Sequence, residues 1–129
     1  MNSLLIVAGG GALGAGARYL VYIAAAHVLG GGFPFGTLIV NILGSFIMGV
    51  LTETMALVWS ASSEMRLFMA VGFLGAFTTF STFSLDFAVL YERGQFFLCA
   101  VYVSVSVACS IGAIFTGMLL FRRLLSPAI

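Results

Sequence analysis

Apolar residues dominate four long stretches of the chain, and short segments rich in glycine, serine or charged residues separate them. A membrane-spanning helix needs about 20 consecutive, mostly apolar residues. The stretches that reach this length run from about Leu4 to His27, from about Gly36 to Val58, from about Leu67 to Leu90 and from about Phe97 to Phe121. The pattern therefore predicts an all-α membrane protein in which residues 1–129 form a single integral membrane domain with four transmembrane helices.

The composition excludes most soluble classes. The chain is 62% hydrophobic and 7% charged, whereas soluble domains carry roughly 25% charged residues. A soluble domain of this size would leave much of that apolar surface in water, because small domains bury a limited share of their surface. The chain has no lysine and a formal net charge of +1, so it offers no basic patch for nucleic acid. A soluble enzyme, a nucleic-acid binder and a disordered chain are all excluded.

The arginines only weakly define an orientation in the membrane. Four spans put both termini on one side, together with Arg66, Arg122 and Arg123, while Arg93 lies on the other side. Orientation follows the asymmetry of Lys and Arg between the two sides, and this bias is small. Insertion in both orientations, and hence an antiparallel homodimer, is therefore possible. Because four helices fill their own centre, a transport path would lie between subunits.

Small or polar residues recur at every fourth position of the second span. They are Thr37, Asn41, Ser45, Gly49 and Glu53. This spacing places them on one helix face. The Asn41 amide carries two N–H donors, and it either serves a polar path or forms a hydrogen bond that only holds helices together.

The fourth span carries a ladder of hydroxyl groups. Tyr102, Ser106 and Ser110 are four residues apart, and the ladder stops at Ile114. One interpretation is a hydroxyl track for an ion. The other is that the serine hydroxyls bond to the backbone one turn earlier, which is common for Ser and Thr in helices.

The third span contains an unusual segment from Gly72 to Ser84. Its last eight residues comprise five hydroxyl-bearing residues and three phenylalanines. Glycine and threonine are weak helix formers, and broken helices inside membranes present backbone oxygens to cations. We expect a break near the bilayer midplane, around Gly75–Thr79, with a cation site made of backbone oxygens. The alternative is an unbroken helix with self-bonded hydroxyls.

Two phenylalanines and one arginine complete the candidate site. Phe80 and Phe83 lie three residues apart, and the positive edges of their rings could attract an anion, although such residues commonly serve packing alone. Arg18 lies within the first span. It either raises the local anion concentration at a vestibule or pairs with Glu53 or Asp86.

Three motifs stand out, one in each of the first three spans. They are Gly14-Ala15-Gly16-Ala17-Arg18-Tyr19 in the first span, Gly36-Thr37-Leu38-Ile39-Val40-Asn41 with Gly44-Ser45-Phe46 in the second, and Gly72-Phe73-Leu74-Gly75 leading into Thr79-Phe80-Ser81-Thr82-Phe83-Ser84 in the third. With these motifs the chain resembles the Fluc (CrcB-type) fluoride channels of bacteria. The resemblance implies an antiparallel, dual-topology homodimer with two fluoride pores along the subunit interface.

The resemblance also implies a role for individual residues. The fluoride pore would comprise Asn41 as a hydrogen-bond donor, the ring edges of Phe80 and Phe83, the track formed by Tyr102, Ser106 and Ser110, and the hydroxyls of Thr37, Ser81 and Thr82. Gly75 and Thr78 would give main-chain carbonyls to a structural sodium ion at the dimer two-fold, and Arg18 would lie at the vestibule. Relatives can carry a hydroxyl where this chain has Ile114, so the end of the track departs from the pattern.

The function that the resemblance implies is passive export of toxic cytoplasmic fluoride across the bacterial inner membrane, with fluoride and the lipid bilayer as partners. The chain shows no nucleophile–base pair, so we expect no enzyme. A proton-coupled exporter of the small multidrug type is one alternative, but it needs an acidic residue in the first span, and none occurs there. A membrane scaffold without transport is the other.

Overall fold

The computed structural model describes residues 2–126, and every regular element within them is helical. The elements in chain order are α1 (Asn2–Leu29), α2 (Phe35–Leu57), α3 (Ser63–Arg66), a π-helical segment (Leu67–Leu74), α4 (Gly75–Phe77), α5 (Ser81–Glu92) and α6 (Phe96–Leu125). Four helical runs, namely α1, α2, residues 63–92 and α6, are long and apolar enough to cross a membrane. The expectation of an all-helical chain with four such helices is confirmed.

Glycine and proline set the sharp connections between these helices. Gly30 follows α1 with a φ of +80°, and Gly94 stands between α5 and α6 with a φ of +72°. Residues with a Cβ rarely adopt this left-handed conformation, and glycine does so without strain. Pro34 directly precedes α2, where its fixed φ suits a helix start and its missing N–H costs nothing. The connections are therefore short and fixed in direction.

Two helix pairs form the framework, and glycines bring the backbones of both pairs into contact. The helix α2 packs most extensively along α6, and α1 packs along the π-helical segment. A Cβ placed on Gly49 would meet the carbonyl oxygen of Ile114, and a Cβ on Gly14 would meet the carbonyl oxygen of Phe73. Small residues at helix crossings permit this close approach in membranes, where dispersion contacts drive helix association.

An ion pair joins the C-terminal ends of α2 and α6. Arg122 donates from Nε to Oε1 of Glu53 at 2.7 Å and from Nη2 to Oε2 at 3.1 Å. The Glu53 carboxylate is buried, whereas half of the Arg122 side chain is exposed. This fork-shaped, two-bond geometry is the strong form of an arginine–carboxylate pair, and it satisfies a carboxylate that would otherwise be costly to bury.

The outer surface of the chain is strongly apolar. Large hydrophobic residues such as Val28 and Phe97 are more than three-quarters exposed. A water-soluble monomer rarely exposes apolar surface on this scale. The surface therefore suits lipid or another protein rather than water.

We predict that Gly14→Ala destabilises the fold, because the added methyl would collide with the backbone of Phe73. The expected loss is about 1–3 kcal/mol, as for other overpacked interiors, measured by denaturant unfolding in detergent. Gly16→Ala is the matched control, since nothing lies within 4 Å of a Cβ there. Equal stability of the two variants would contradict the packing argument.

Candidate functional site

The main chain between α4 and α5 leaves the helical path for a few residues. The helix α4 ends at Phe77, Thr78 is extended with φ −84° and ψ 159°, and α5 begins at Ser81. The side chain of Asn41 binds both main-chain groups of Thr79: Nδ2 donates to the carbonyl oxygen at 2.9 Å, and Oδ1 accepts from the N–H at 2.8 Å. The side-chain amide of Asn41 therefore provides partners for both the N–H and the carbonyl of Thr79.

These hydrogen bonds release two backbone carbonyls. In an α-helix, the Thr79 N–H would donate to Gly75 and the Thr82 N–H would donate to Thr78. The Thr79 N–H donates to Asn41 instead, and the Thr82 N–H donates to Oγ1 of Thr79 at 3.2 Å. The carbonyls of Gly75 and Thr78 therefore lose their helical donors.

These two carbonyls are suitable ligands for a hard cation. Unwound backbone in membrane helices offers such carbonyls to sodium, which is the chemistry that the predicted ligands Gly75 and Thr78 would supply. No group of three His, Cys, Asp or Glu side chains within residues 2–126 could hold a metal ion. A cation at this place would be held by main-chain oxygens.

A groove of about 490 Å³, the central groove, runs beside this segment. Its lining residues are Asn41, Gly44, Ser45, Met48, Gly75, Thr78, Thr79, Phe80, Phe83, Ser106, Val107, Ser110, Ile111 and Ile114. The polar side chains come from α2, α6 and the α4–α5 connection. Ile111 and Ile114 make the α6 wall apolar beyond Ser110.

Ser106 and Ser110 differ from five other hydroxyl residues of the described chain. Thr52, Thr54, Thr78, Ser84 and Thr116 each donate to the carbonyl four residues earlier, at 2.7–3.0 Å. The buried hydroxyls of Ser106 and Ser110 have no hydrogen-bond partner among residues 2–126.

The self-bonded alternative is therefore wrong for Ser106 and Ser110. A buried polar group without a partner costs about 1–3 kcal/mol. Both residues line the central groove, and neither hydroxyl is committed to a partner within residues 2–126.

Aromatic rings form one side of the central groove. The centroids of Phe80 and Phe83 are 5.5 Å apart with the rings tilted by 44°, and Phe83 lies 5.1 Å from Tyr102. Phe80 is 77% exposed in the single chain. A side chain this apolar and this exposed suits contact with lipid or with another protein.

A second groove of about 400 Å³, the end groove, lies where the α1–α2 connection meets α5. Its lining residues are Tyr22, Ala25, Ala26, Gly30, Gly31, Gly32, Phe33, Pro34, Gly36, Thr37, Thr82, Leu85, Asp86, Val89, Leu90 and Arg93. Tyr102 links the two grooves: its ring packs on Phe83, and its hydroxyl donates to Oδ2 of Asp86 at 2.9 Å.

The structure distributes the predicted site residues over three places. Asn41, Gly75, Thr78, Phe80, Phe83, Ser106 and Ser110 line the central groove, Thr37 and Thr82 line the end groove, and Tyr102 is fully buried and lines neither. Ser81 is exposed at the start of α5, with Oγ 3.4 Å from Oγ1 of Thr79.

Arg18 is half-buried on α1 and lines neither groove. The alternative that it pairs with Glu53 or Asp86 is wrong. Glu53 pairs with Arg122, and Asp86 accepts a hydrogen bond from Tyr102. Both acids find partners on α6, because α6 packs against α2 and α5.

Sequence reasoning missed three residues of the end groove: Tyr22, Asp86 as a partner of Tyr102, and Arg93. Asp86 and Arg93 are about two helical turns apart, so helical geometry places them on the same face. This spacing is the feature of the sequence that could have identified them as a pair. A charge beside a turn, such as Arg93, otherwise looks like an ordinary solvated residue.

The fold and these grooves define a multi-span helical membrane protein with a groove beside the α4–α5 connection. The chain belongs to the CrcB family: the family model described as "CrcB-like protein, Camphor Resistance (CrcB)" matches residues 5–118. The resemblance stated from the sequence motifs is confirmed.

Relatives cover nearly the whole chain. A protein of Chelativorans sp. (strain BNC1) is 54% identical over 97% of this chain and 100% of its own length. Proteins of Rhodospirillum centenum and Agrobacterium fabrum are each 50% identical, over 95% and 96% of this chain and 97% and 99% of their own lengths. All three are named fluoride-specific ion channel FluC.

We predict that Asn41→Leu loosens the α4–α5 connection, because the Thr79 N–H and carbonyl both lose their partner. Each buried group left unpaired costs about 1–3 kcal/mol. Hydrogen exchange of the amides at residues 79–82 should accelerate, and stability in detergent should fall. Thr52→Ala is the control, since its hydroxyl only bonds to its own helix. Unchanged exchange in Asn41→Leu would contradict this role.

Proposed function

We propose that this protein is a fluoride-selective passive ion channel that exports toxic cytoplasmic fluoride across the bacterial inner membrane. The observation that carries the proposal is the pair of unpartnered hydroxyls, Ser106 and Ser110, beside the exposed Phe80 at the central groove. Relatives over nearly the whole chain bear the name of a fluoride-specific channel, and this supports a channel rather than an enzyme.

The donors at the central groove suit a small, strongly hydrated anion. Fluoride leaves water only if hydrogen-bond donors replace its hydration shell, since an unsolvated charge is very costly in an apolar medium. Ser106 and Ser110 each supply a hydroxyl, and the amide of Asn41 has a second N–H beyond the one bound to Thr79. The ring edges of Phe80 and Phe83 add weak positive potential while excluding water.

The lining of the central groove also supports passive transport. None of the residues that line it within the described chain is titratable. A proton-coupled exporter needs a protonatable group in its path. Fluoride would therefore cross the central groove down its own gradient, without exchange for protons there.

The exposed surface beside the groove supports assembly of two copies. Phe80 is 77% exposed, and Gly75 also lies on the surface of the single chain. An antiparallel, dual-topology homodimer would cover both residues and close two grooves into two pores along the interface. The weak arginine bias between the two sides of the membrane is compatible with insertion in both orientations.

The interrupted third span has two roles in this proposal. Near the bilayer midplane it would present the carbonyls of Gly75 and Thr78 to a structural sodium ion at the two-fold axis. The ion would supply positive charge that neutralises converging carbonyl dipoles from both copies. The same departure from helical geometry turns the Thr79 backbone toward Asn41. It also places Phe80 and Phe83 beside the central groove.

The end groove would form the vestibule of each pore. Thr37 and Thr82 contribute hydroxyls there, Ser81 stands at the start of α5, and Tyr102 leads toward the central groove. Arg18 lies one turn before Tyr22 on α1 and adds positive potential nearby. Anions would enter at this groove and lose their water at the serines.

We predict rapid fluoride release from liposomes that contain the purified protein, with negligible chloride release. Fluoride and chloride electrodes record both ions in parallel, without a proton gradient. Fluoride release that requires a proton gradient would support an exporter instead. Release of neither ion would support a scaffold without transport.

The Ser106 hydroxyl should matter far more than an exposed hydroxyl on the same helix. Ser106→Ala should slow fluoride release about tenfold or more, because a hydrogen bond to a charged group contributes about 1.5–3 kcal/mol. Ser104→Ala, at an exposed position outside the groove, should release fluoride at the wild-type rate. Equal rates for both variants would exclude Ser106 from the pore.

Sodium should stabilise the dimer if the carbonyls of Gly75 and Thr78 hold it. A ligand that binds only the folded state raises stability by mass action. The melting temperature in detergent should be higher in sodium than in N-methylglucamine at equal ionic strength. Identical melting temperatures over a range of sodium concentrations would contradict the sodium site.

A further inference from the structure

Arg93 is the one cationic side chain among the described residues that line the two grooves. It directly follows α5, is exposed, and precedes the turn at Gly94. This places its guanidinium at the outer end of the end groove. An anion that enters from this end meets Arg93 before any other side-chain charge in the lining.

The other charged side chain in the described lining of the end groove, Asp86, is negative. Asp86 lies about two turns further in along α5, roughly 10 Å from Arg93 at about 1.5 Å per residue. The Asp86 carboxylate accepts a hydrogen bond from the Tyr102 hydroxyl. The C-terminal ends of α1 and α5 reach this region with partial negative charge, and the N-terminal ends of α2 and α6 reach it with partial positive charge, so the helix ends largely offset one another.

Removal of the guanidinium would therefore leave Asp86 as the one charged side chain among the described residues that line the end groove. Glu92, next in sequence to Arg93, is exposed and also negative. Arg18 adds positive potential from α1 but lies outside the lining. Arg93 therefore supplies the positive charge within the lining itself.

We propose that Arg93 recruits fluoride to the end groove, as the residue that sets the electrostatic potential of the pore entrance. The proposal rests on the proposed fluoride channel and adds an entry residue to it. In the antiparallel dimer, each copy would present its end groove to the opposite side of the membrane. Each side would then have one entrance that carries Arg93.

Electrostatic recruitment has a signature that a structural role lacks. A potential at an aqueous entrance raises the local ion concentration and the entry rate. Salt weakens it, because the screening length shrinks from about 30 Å at 0.01 M to about 3 Å at 1 M. The effect should also be largest at low fluoride, where entry limits the flux.

The test is fluoride release from liposomes by Arg93→Gln, Arg93→Lys and the wild type, at low and high potassium isethionate. Arg93→Gln should release fluoride about tenfold more slowly than the wild type at low salt and low fluoride, as expected for loss of steering. The deficit should shrink at high salt and at high fluoride. Arg93→Lys, which keeps the charge, should stay within about twofold of the wild type.

Arg123→Gln is the matched control, since Arg123 is exposed at the other end of the helices and lines neither groove. It should behave as the wild type at both salt concentrations. Equal rates for Arg93→Gln and a conducting wild type at low salt would overturn the role of Arg93, as would a deficit that salt leaves unchanged. A wild type that releases no fluoride would overturn the channel itself and this proposal with it.

Discussion

The paired hydrogen bonds between the Asn41 side chain and the Thr79 backbone are the interaction on which the candidate site depends. They compensate the main chain for leaving the helix between α4 and α5. They also take the Thr79 N–H away from Gly75 and so release a carbonyl. The aromatic side of the central groove follows directly, because α5 starts only after this connection and carries Phe83 on its first turn.

The glycine contacts between helices hold this arrangement in place. Gly49 on α2 touches the backbone at Ile114 of α6, so α2 and α6 are fixed at close range. That fixed distance brings Asn41 and the hydroxyl of Ser110 to the same groove. Because the backbones themselves touch, the geometry of the groove does not depend on flexible side chains at these crossings.

The sequence contains the coarse fold but not the pairing of its polar groups. Apolar stretches of membrane-spanning length predict the helices, and the fourfold spacing on α2 identifies Asn41. No local pattern relates Glu53 to Arg122, which lies 69 residues later, so a pairing with Arg18 was equally compatible with the sequence. Spacing likewise cannot separate Ser106, whose hydroxyl is unpartnered, from Thr116, which bonds to its own helix. Packing between helices decides both outcomes.

The Glu53–Arg122 pair also has a consequence for biogenesis. Ribosomes add about 5–20 residues per second, so Arg122 is made about 3 to 14 seconds after Glu53, given their separation of 69 residues. During that interval the carboxylate at the end of α2 has no ionic partner and must remain in contact with water or the insertion machinery. A chain that is released before α6 is complete would carry an unpaired carboxylate at the end of α2. This unpaired charge would distinguish the incomplete chain from the finished protein.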